Sequence, residues 1–246
     1  IMTVKVTKPQ INVREKLAEL EPRPDAIKKH QTLDVLGNGS CVSLYTFDNE
    51  LPPGAYTAGT NAFDPTKRKF GASSFKANNT NTYKPNPAPI NAYPFSMSCW
   101  AYNENWAANP DSTNKVLLNT SIAGQRVTLC VVDWSSNGGS TLSIMYGGSN
   151  HWTFGGILDL PVNTWIQIVF SLPGSNSADH GVYTNGVKLT PTNKGGAHGG
   201  SAGWGIGGNN GGSEKFTGWI DQMRIFNRGL SPAEVQELYL IEAMGL

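Results

Sequence analysis

From Cys41 to Phe226 the chain repeats one device: short runs in which side chains of contrasting polarity alternate, separated by Gly- and Asn-rich turns. A period of two sends successive side chains to opposite faces, so each run reads as a strand. "CVSLYTFD" (41–48) sets Val42, Leu44 and Thr46 against Ser43, Tyr45 and Phe47. "FSMSCWAY" (95–102) sets Phe95, Met97, Cys99 and Ala101 against Ser96, Ser98, Trp100 and Tyr102. "TWIQIVFSL" (164–172) does the same, with Trp165, Gln167, Val169 and Ser171 facing away from Ile166, Ile168, Phe170 and Leu172. "SFKA", "VLLNTS", "VTLCVVD", "TLSIMYG", "GWGIGG" and "FTGWIDQMRIF" read as further strands, and Asn185-Gly186 inside "HGVYTNGVKL" marks a hairpin. Many short strands at turn spacing predict an all-β, two-sheet antiparallel jelly-roll sandwich, with a short N-terminal helical arm and a short C-terminal helix.

The two ends depart from that pattern. Residues 1–36 carry many charges and no aromatic residue, and "VLGNGS" then introduces Gly37-Asn38-Gly39, a turn signal. This divides the chain into an N-terminal arm, 1–36, and a jelly-roll domain, 37–246. Within the arm, Asn12 with Glu15 three residues on forms a capping-box pattern, and Pro22 and Pro24 end the helix. Ile11, Val13, Leu17 and Leu20 supply its apolar residues. About ten residues of helix are marginal alone, so this stretch is expected to need a partner surface: its own domain, a copy of itself or another protein. At the other end, alternation places Trp219, Asp221, Met223 and Ile225 on one face, and Ile220, Gln222, Arg224 and Phe226 on the other. A helix is expected next, with Ser231 as N-cap, Pro232 at its first position and Glu234 three residues past the cap.

Bulk composition narrows the function classes. Charged residues make up 15% of the 246 and the net charge is +1, which offers nothing to nucleic acid or an acidic membrane. No apolar run approaches bilayer length, so no membrane insertion is expected. Cys41, Cys99 and Cys130 lack C-x-x-C spacing and are expected to be reduced, partly buried thiols. His30, His151, His180 and His198 lie in turn- or Gly-rich settings without metal-ligand spacing and are expected at the surface.

"GWIDQMRIFNRGLSPAEV" resembles the C-terminal signature of the concanavalin A-like, laminin G-like jelly-roll superfamily. "LYTFD", "FGASSFKA", "FSMSCWAY", "NTWIQIVFS", "GVYTNGVKL" and "IGGNNGGSEKFTGWID" follow the same family order over residues 40–246. "MTVKVTKPQINVREKLAELE", followed by "LGNGSCVSLYTFDN", resembles the start of tail-fibre-like virion structural proteins of marine bacteriophages. The combination implies a virion structural protein, a fibre or capsid-decoration component assembled in the host cytoplasm. It would be held to other virion proteins by its arm and display the jelly roll for adhesion to host-surface glycans. Self-association is expected, a trimer being one form of it. The alternatives are an extracellular carbohydrate-binding module without a viral link, and a glycanase on the same fold.

Catalysis is not expected. Glycoside hydrolysis needs two facing carboxylates, about 5–5.5 Å apart for retention. Asp221 has no acidic neighbour at 219 or 223, and Asp159 has none at 157 or 161. Asp221 is expected to pair with Arg224, Arg228 or a backbone amide, or else to bind calcium with Asp48. The laminin G-like resemblance raises that second option, since calcium takes six to eight oxygens; no cofactor is required otherwise. Saccharide recognition needs an aromatic face and amides. Turn-like, Gly-rich stretches supply Trp134, then Asn150, His151 and Trp152, then Trp204, Asn209 and Asn210 as carbohydrate-binding candidates. Trp100, Trp165 and Trp219 are assigned to the sheets, and Trp106 is unassigned. Residues 195–213 hold ten glycines and read as a loop.

Overall fold

The computed structural model describes residues 32–49, 56–58, 63–78, 82–106, 114–122, 124–134, 139–146, 150–158, 160–175, 179–197, 203–208 and 214–244. Sixteen strands and one helix are defined among them. The first eight strands are β1 (Cys41–Tyr45), β2 (Tyr56–Ala58), β3 (Phe63–Asp64), β4 (Ser74–Ala77), β5 (Thr82–Lys84), β6 (Phe95–Tyr102), β7 (Asn114–Ile122) and β8 (Gln125–Trp134). The remainder are β9 (Gly139–Tyr146), β10 (Asn150–Leu158), β11 (Trp165–Leu172), β12 (Gly181–Thr184), β13 (Val187–Lys188), β14 (Pro191–Ala197), β15 (Gly205–Ile206) and β16 (Gly218–Phe226), followed by helix α1 (Pro232–Met244).

Two eight-stranded antiparallel sheets face each other. The first runs β13-β12-β11-β6-β16-β4-β3, with β1 also on β16; the second runs β14-β10-β9-β8-β7-β15-β5-β2. The all-β sandwich expected from alternation is therefore the observed fold. Phe95, Met97, Cys99 and Ala101 of β6 meet Val127, Leu129 and Val131 of β8 in one core. At roughly 25 cal/mol per Å2 of apolar area, this core dominates the favourable side of folding.

A second layer of apolar contact lies outside the first sheet. Helix α1 buries Val235, Leu238 and Ile241 against Val169, Tyr183 and Phe226. Val35 is fully buried in the same cluster, so the packed unit includes residues ahead of the Gly37 turn. The helix starts as its sequence predicts. The Ser231 amide donates to Glu234 Oε2 (2.9 Å), and the Glu234 amide donates back to Ser231 Oγ (3.3 Å). Arg228 clasps the same carboxylate, and its hydrogen bonds lead those that hold Glu234 down at about 2.

The Asn185-Gly186 hairpin is also as expected: both residues have positive φ (47° and 78°), as a two-residue primed turn requires. Two other readings are corrected. Residues 150–158 and 191–197 are strands, β10 and β14, paired with each other. Their Gly and Asn content imitates turns, but β10 finds β9 on its other side, and tertiary pairing overrides weak local preference. In β16 the alternation breaks. The register slips between Asp221 and Arg224, and Gln222 takes φ 48°. This bulge shifts the following residues by one. Ile220, Met223 and Ile225 face the core, while Trp219, Asp221, Arg224 and Phe226 lie on the outer face, opposite Tyr102, Trp100, Ser98 and Ser96.

Cys41, Cys99 and Cys130 are free and buried, as read from their spacing. His180 is a correction, since it is buried rather than at the surface. Its Nε2 lies 2.8 Å from the Gly174 carbonyl, which can only accept, so Nε2 carries the proton and Nδ1 accepts from the Tyr146 hydroxyl. No helix among the described residues is long and apolar enough to cross a membrane.

Candidate functional site

Asp221 sits at the bulge, where β16 exchanges one neighbour for another: β4 pairs with residues 218–220 and β1 with 223–226. Its carboxylate fills the gap by accepting three backbone amides, from Lys69 (2.8 Å), Phe70 (3.0 Å) and Gln222 (2.7 Å). Burial pushes this carboxyl up to about 7 against the pull of those amides, and Asp48 adds a small push. Of the expected partners the amides are the real ones, because Arg224 and Arg228 are engaged elsewhere. Asp48 accepts from the amides of Ala72 and Ser73 on the same loop. Each carboxylate thus serves N–H donors, an arrangement that closes the 65–73 loop. Among the described residues no group of three or more His, Cys, Asp or Glu is placed to hold a metal.

Arg224 instead ion-pairs with Glu242 of α1 at 2.9 Å, both side chains fully buried. Glu242 also accepts from Trp100 Nε1 (2.7 Å) and Gln167 Nε2 (2.8 Å). Burial pushes the Glu242 carboxyl up, opposed by the guanidinium. This buried network ties the helix to one half of the outer face.

The other half lies beyond the helix, with Tyr102 and Trp219 buried and Trp165 half-buried. There Tyr102 of β6 meets Trp165 of β11 and Trp219 of β16, each ring centre 5.5 Å from its own. Lys67 stands over this cluster, 4.4 Å from the Tyr102 ring centre, and donates to its hydroxyl at 2.9 Å. Its ion pair with Glu104 (3.3 Å) is solvent-exposed. Trp219 Nε1 donates to Asp64 (2.9 Å). Desolvation pushes the Asp64 carboxyl up, but hydrogen bonds from Thr66 and Trp219 outweigh it and hold it down at about 2.

Beside this cluster lies a groove of about 240 Å3, lined among others by Lys76, Asn78, Asn103, Glu104, Asn105 and Trp219. Asn103 sets its shape, donating to the Thr217 carbonyl (2.6 Å) and accepting the Asn105 amide (2.6 Å). Gly218 forms part of the lining with φ 153°, and a Cβ there would meet the Tyr102 carbonyl. One aromatic edge, three asparagines and two charged side chains give the groove donors and acceptors suited to a polyhydroxylated ligand.

The saccharide candidates read from the sequence fall elsewhere. Trp204 is buried in the core, and Trp152 is half-buried and packs against it. Both flanks are Gly-rich, which suggested turns, yet Trp152 faces inward from β10 opposite Ile144. For Trp134, Asn150 and His151 the side chains lie outside the described residues, as do Asn209, Asn210 and the anchor residues Ile11, Val13, Leu17 and Leu20. Trp106 is buried and donates to the Pro161 carbonyl at 2.9 Å. The groove was missed because Lys76, Asn103 and Trp219 are far apart in sequence. The outward alternation of Tyr102 and Trp165 was its one visible trace.

Residues 76–236 match the laminin G-type family described as the concanavalin A-like lectin/glucanases superfamily. The match covers well over half of the chain, which therefore belongs to this family. Among solved structures, domain 4 of AbnA, a GH43 extracellular arabinanase from Geobacillus stearothermophilus in complex with arabinotriose, superposes with a TM-score of 0.60 at 21% identity, over 81% of this chain and 98% of that one. The binding domain of botulinum neurotoxin serotype G gives 0.52 at 15% identity, over 82% of this chain and 51% of that domain. Trypanosoma rangeli sialidase gives 0.53 at 13%, over 84% of this chain and 33% of the sialidase. At these identities the likeness is one of fold. No match was found among curated protein sequences.

Proposed function

We propose that this protein is a non-catalytic carbohydrate-binding module that holds a saccharide in the Asn78–Asn103–Trp219 groove. The observation that carries the reading is the amide-rich groove beside an aromatic cluster on the half of the outer face beyond the helix. The structural likeness to AbnA domain 4, whose structure contains arabinotriose, supports a saccharide as the ligand class. Asp64 is committed to Thr66 and Trp219, which supports recognition over acid–base chemistry.

A glycan array followed by titration calorimetry tests this. Asn78→Ala and Glu104→Ala should each weaken the best ligand about tenfold, roughly 1.4 kcal/mol, without lowering the melting temperature. Failure of every saccharide to bind, or binding indifferent to both variants, overturns the reading. Release of reducing sugar from mixed glycans would replace it with a glycanase.

The resemblance of residues 2–49 to tail-fibre-like proteins supports a finer reading: a self-associating virion component displayed for adhesion to host glycans. Deleting residues 1–31 should then abolish incorporation into particles, and unchanged incorporation rejects it.

A further inference from the structure

One row of side chains crosses the outer face of the first sheet beyond the helix. Lys76 of β4 pairs with Trp219 of β16, Trp219 with Tyr102 of β6, and Tyr102 with Trp165 of β11. At about 4.8 Å between strands, neighbours in such a row touch. Tyr102 and Trp219 are buried, so their rings act as a floor for the groups above them. Two of those groups are ammoniums. Lys67 Nζ lies 4.4 Å from the Tyr102 ring centre and 5.4 Å from that of Trp219, and Lys76 Nζ lies 5.6 Å from the Trp219 ring centre. Cation–π attraction of this kind holds a lysine in place, so less side-chain freedom is left to lose when a ligand arrives.

The carboxylates beside the two lysines are not equivalent. Glu104 lines the groove and has Lys67 at 3.3 Å, so its charge is answered at short range. Lys76 also lines the groove, but its carboxylate, Asp64, lies 3.9 Å away and is only 14% exposed. Asp64 already accepts from the Thr66 amide and from Trp219 Nε1. A cation thus faces the groove with its counter-charge set back behind the Trp219 ring. The Lys76 side chain is 46% exposed, and an ammonium has three donors, so it can keep Asp64 and still meet an acid. A hydrogen bond between two charged groups is roughly twice as strong as a neutral one.

We propose that the groove selects an acidic saccharide, whose carboxylate or sulfate group pairs with Lys76 while Glu104, Asn78 and Asn105 meet its hydroxyls. This rests on the saccharide reading and narrows its ligand class.

Calorimetry on the full chain tests it, using the best ligands of a glycan array, each beside its partner of different charge. Uronates are compared with their methyl esters, and sulfated glycans with their desulfated forms. The acidic member should bind at least tenfold tighter, and the pair that shows this identifies carboxylate or sulfate as the group. Lys76→Gln should erase the preference while leaving the neutral member's affinity and the melting temperature unchanged, and Lys76→Arg should keep it. Neutral members bound as tightly as acidic ones, or a preference indifferent to Lys76→Gln, overturns the proposal and leaves the groove reading standing. Binding of no saccharide at all overturns both.

Discussion

Strand β16 passes through two environments on one face of one sheet. Past the bulge, Arg224 lies under α1 in a buried polar set with Glu242, Trp100 and Gln167, where the Gln167 amide oxygen is left without a partner. Before the bulge, Trp219 lies beside Lys67, Lys76 and Glu104, whose charges reach solvent. Each half has an Arg or Lys paired with a Glu, yet the two pairs differ in what their loss would cost. A buried pair must be complete, because removing one member strands the other charge away from water. An exposed pair can be opened cheaply, which is what a ligand groove requires.

Truncating each carboxylate should expose this contrast. Glu242→Ala should destabilise the fold by about 3–5 kcal/mol, measured by denaturant unfolding, since it orphans Arg224, Trp100 and Gln167. A loss below about 1 kcal/mol would mean that the two halves are alike. Asp221→Asn, at the boundary, should cost about 2–3 kcal/mol, because an amide cannot accept from Lys69, Phe70 and Gln222 together. Chelator should leave the melting temperature unchanged if the carboxylates serve the loop; a drop would restore calcium.

A smaller effect concerns pH. Burial holds the His180 imidazole below its ordinary value. The unfolded chain therefore takes up the proton first, so the stability from neutral His180 is complete above about pH 6.5 and is lost as pH falls through the folded value. His180→Asn should remove that part of the acid-side slope, and an unchanged slope would place the titration elsewhere. At the lower end, Glu104→Ala should change stability by no more than about 0.5 kcal/mol while reducing saccharide binding.

Reading the sequence succeeded where structure is local. The Ser231–Glu234 cap, the Asn185-Gly186 turn and the inward set of β6 each depend on neighbours within a few residues. It failed where a distant partner intervenes. "NHWTFGGIL" has turn composition, and only β9 and β14 on its two sides make it a strand. Alternation along "GWIDQMRIF" placed Met223 with Asp221, because a one-residue bulge leaves no mark in composition. Trp152 and Trp204 looked like sugar platforms by their glycine flanks, while burial is set by which sheet face they occupy.

The amino-acid order alone determined a two-sheet sandwich with a capped C-terminal helix, since period, turn chemistry and capping act over a few residues. Tertiary structure alone decided where β16 bulges, which tryptophans are buried, and which carboxylate lies under the helix. Those outcomes follow from pairing between segments more than a hundred residues apart, such as Lys69 with Asp221 and Trp100 with Glu242.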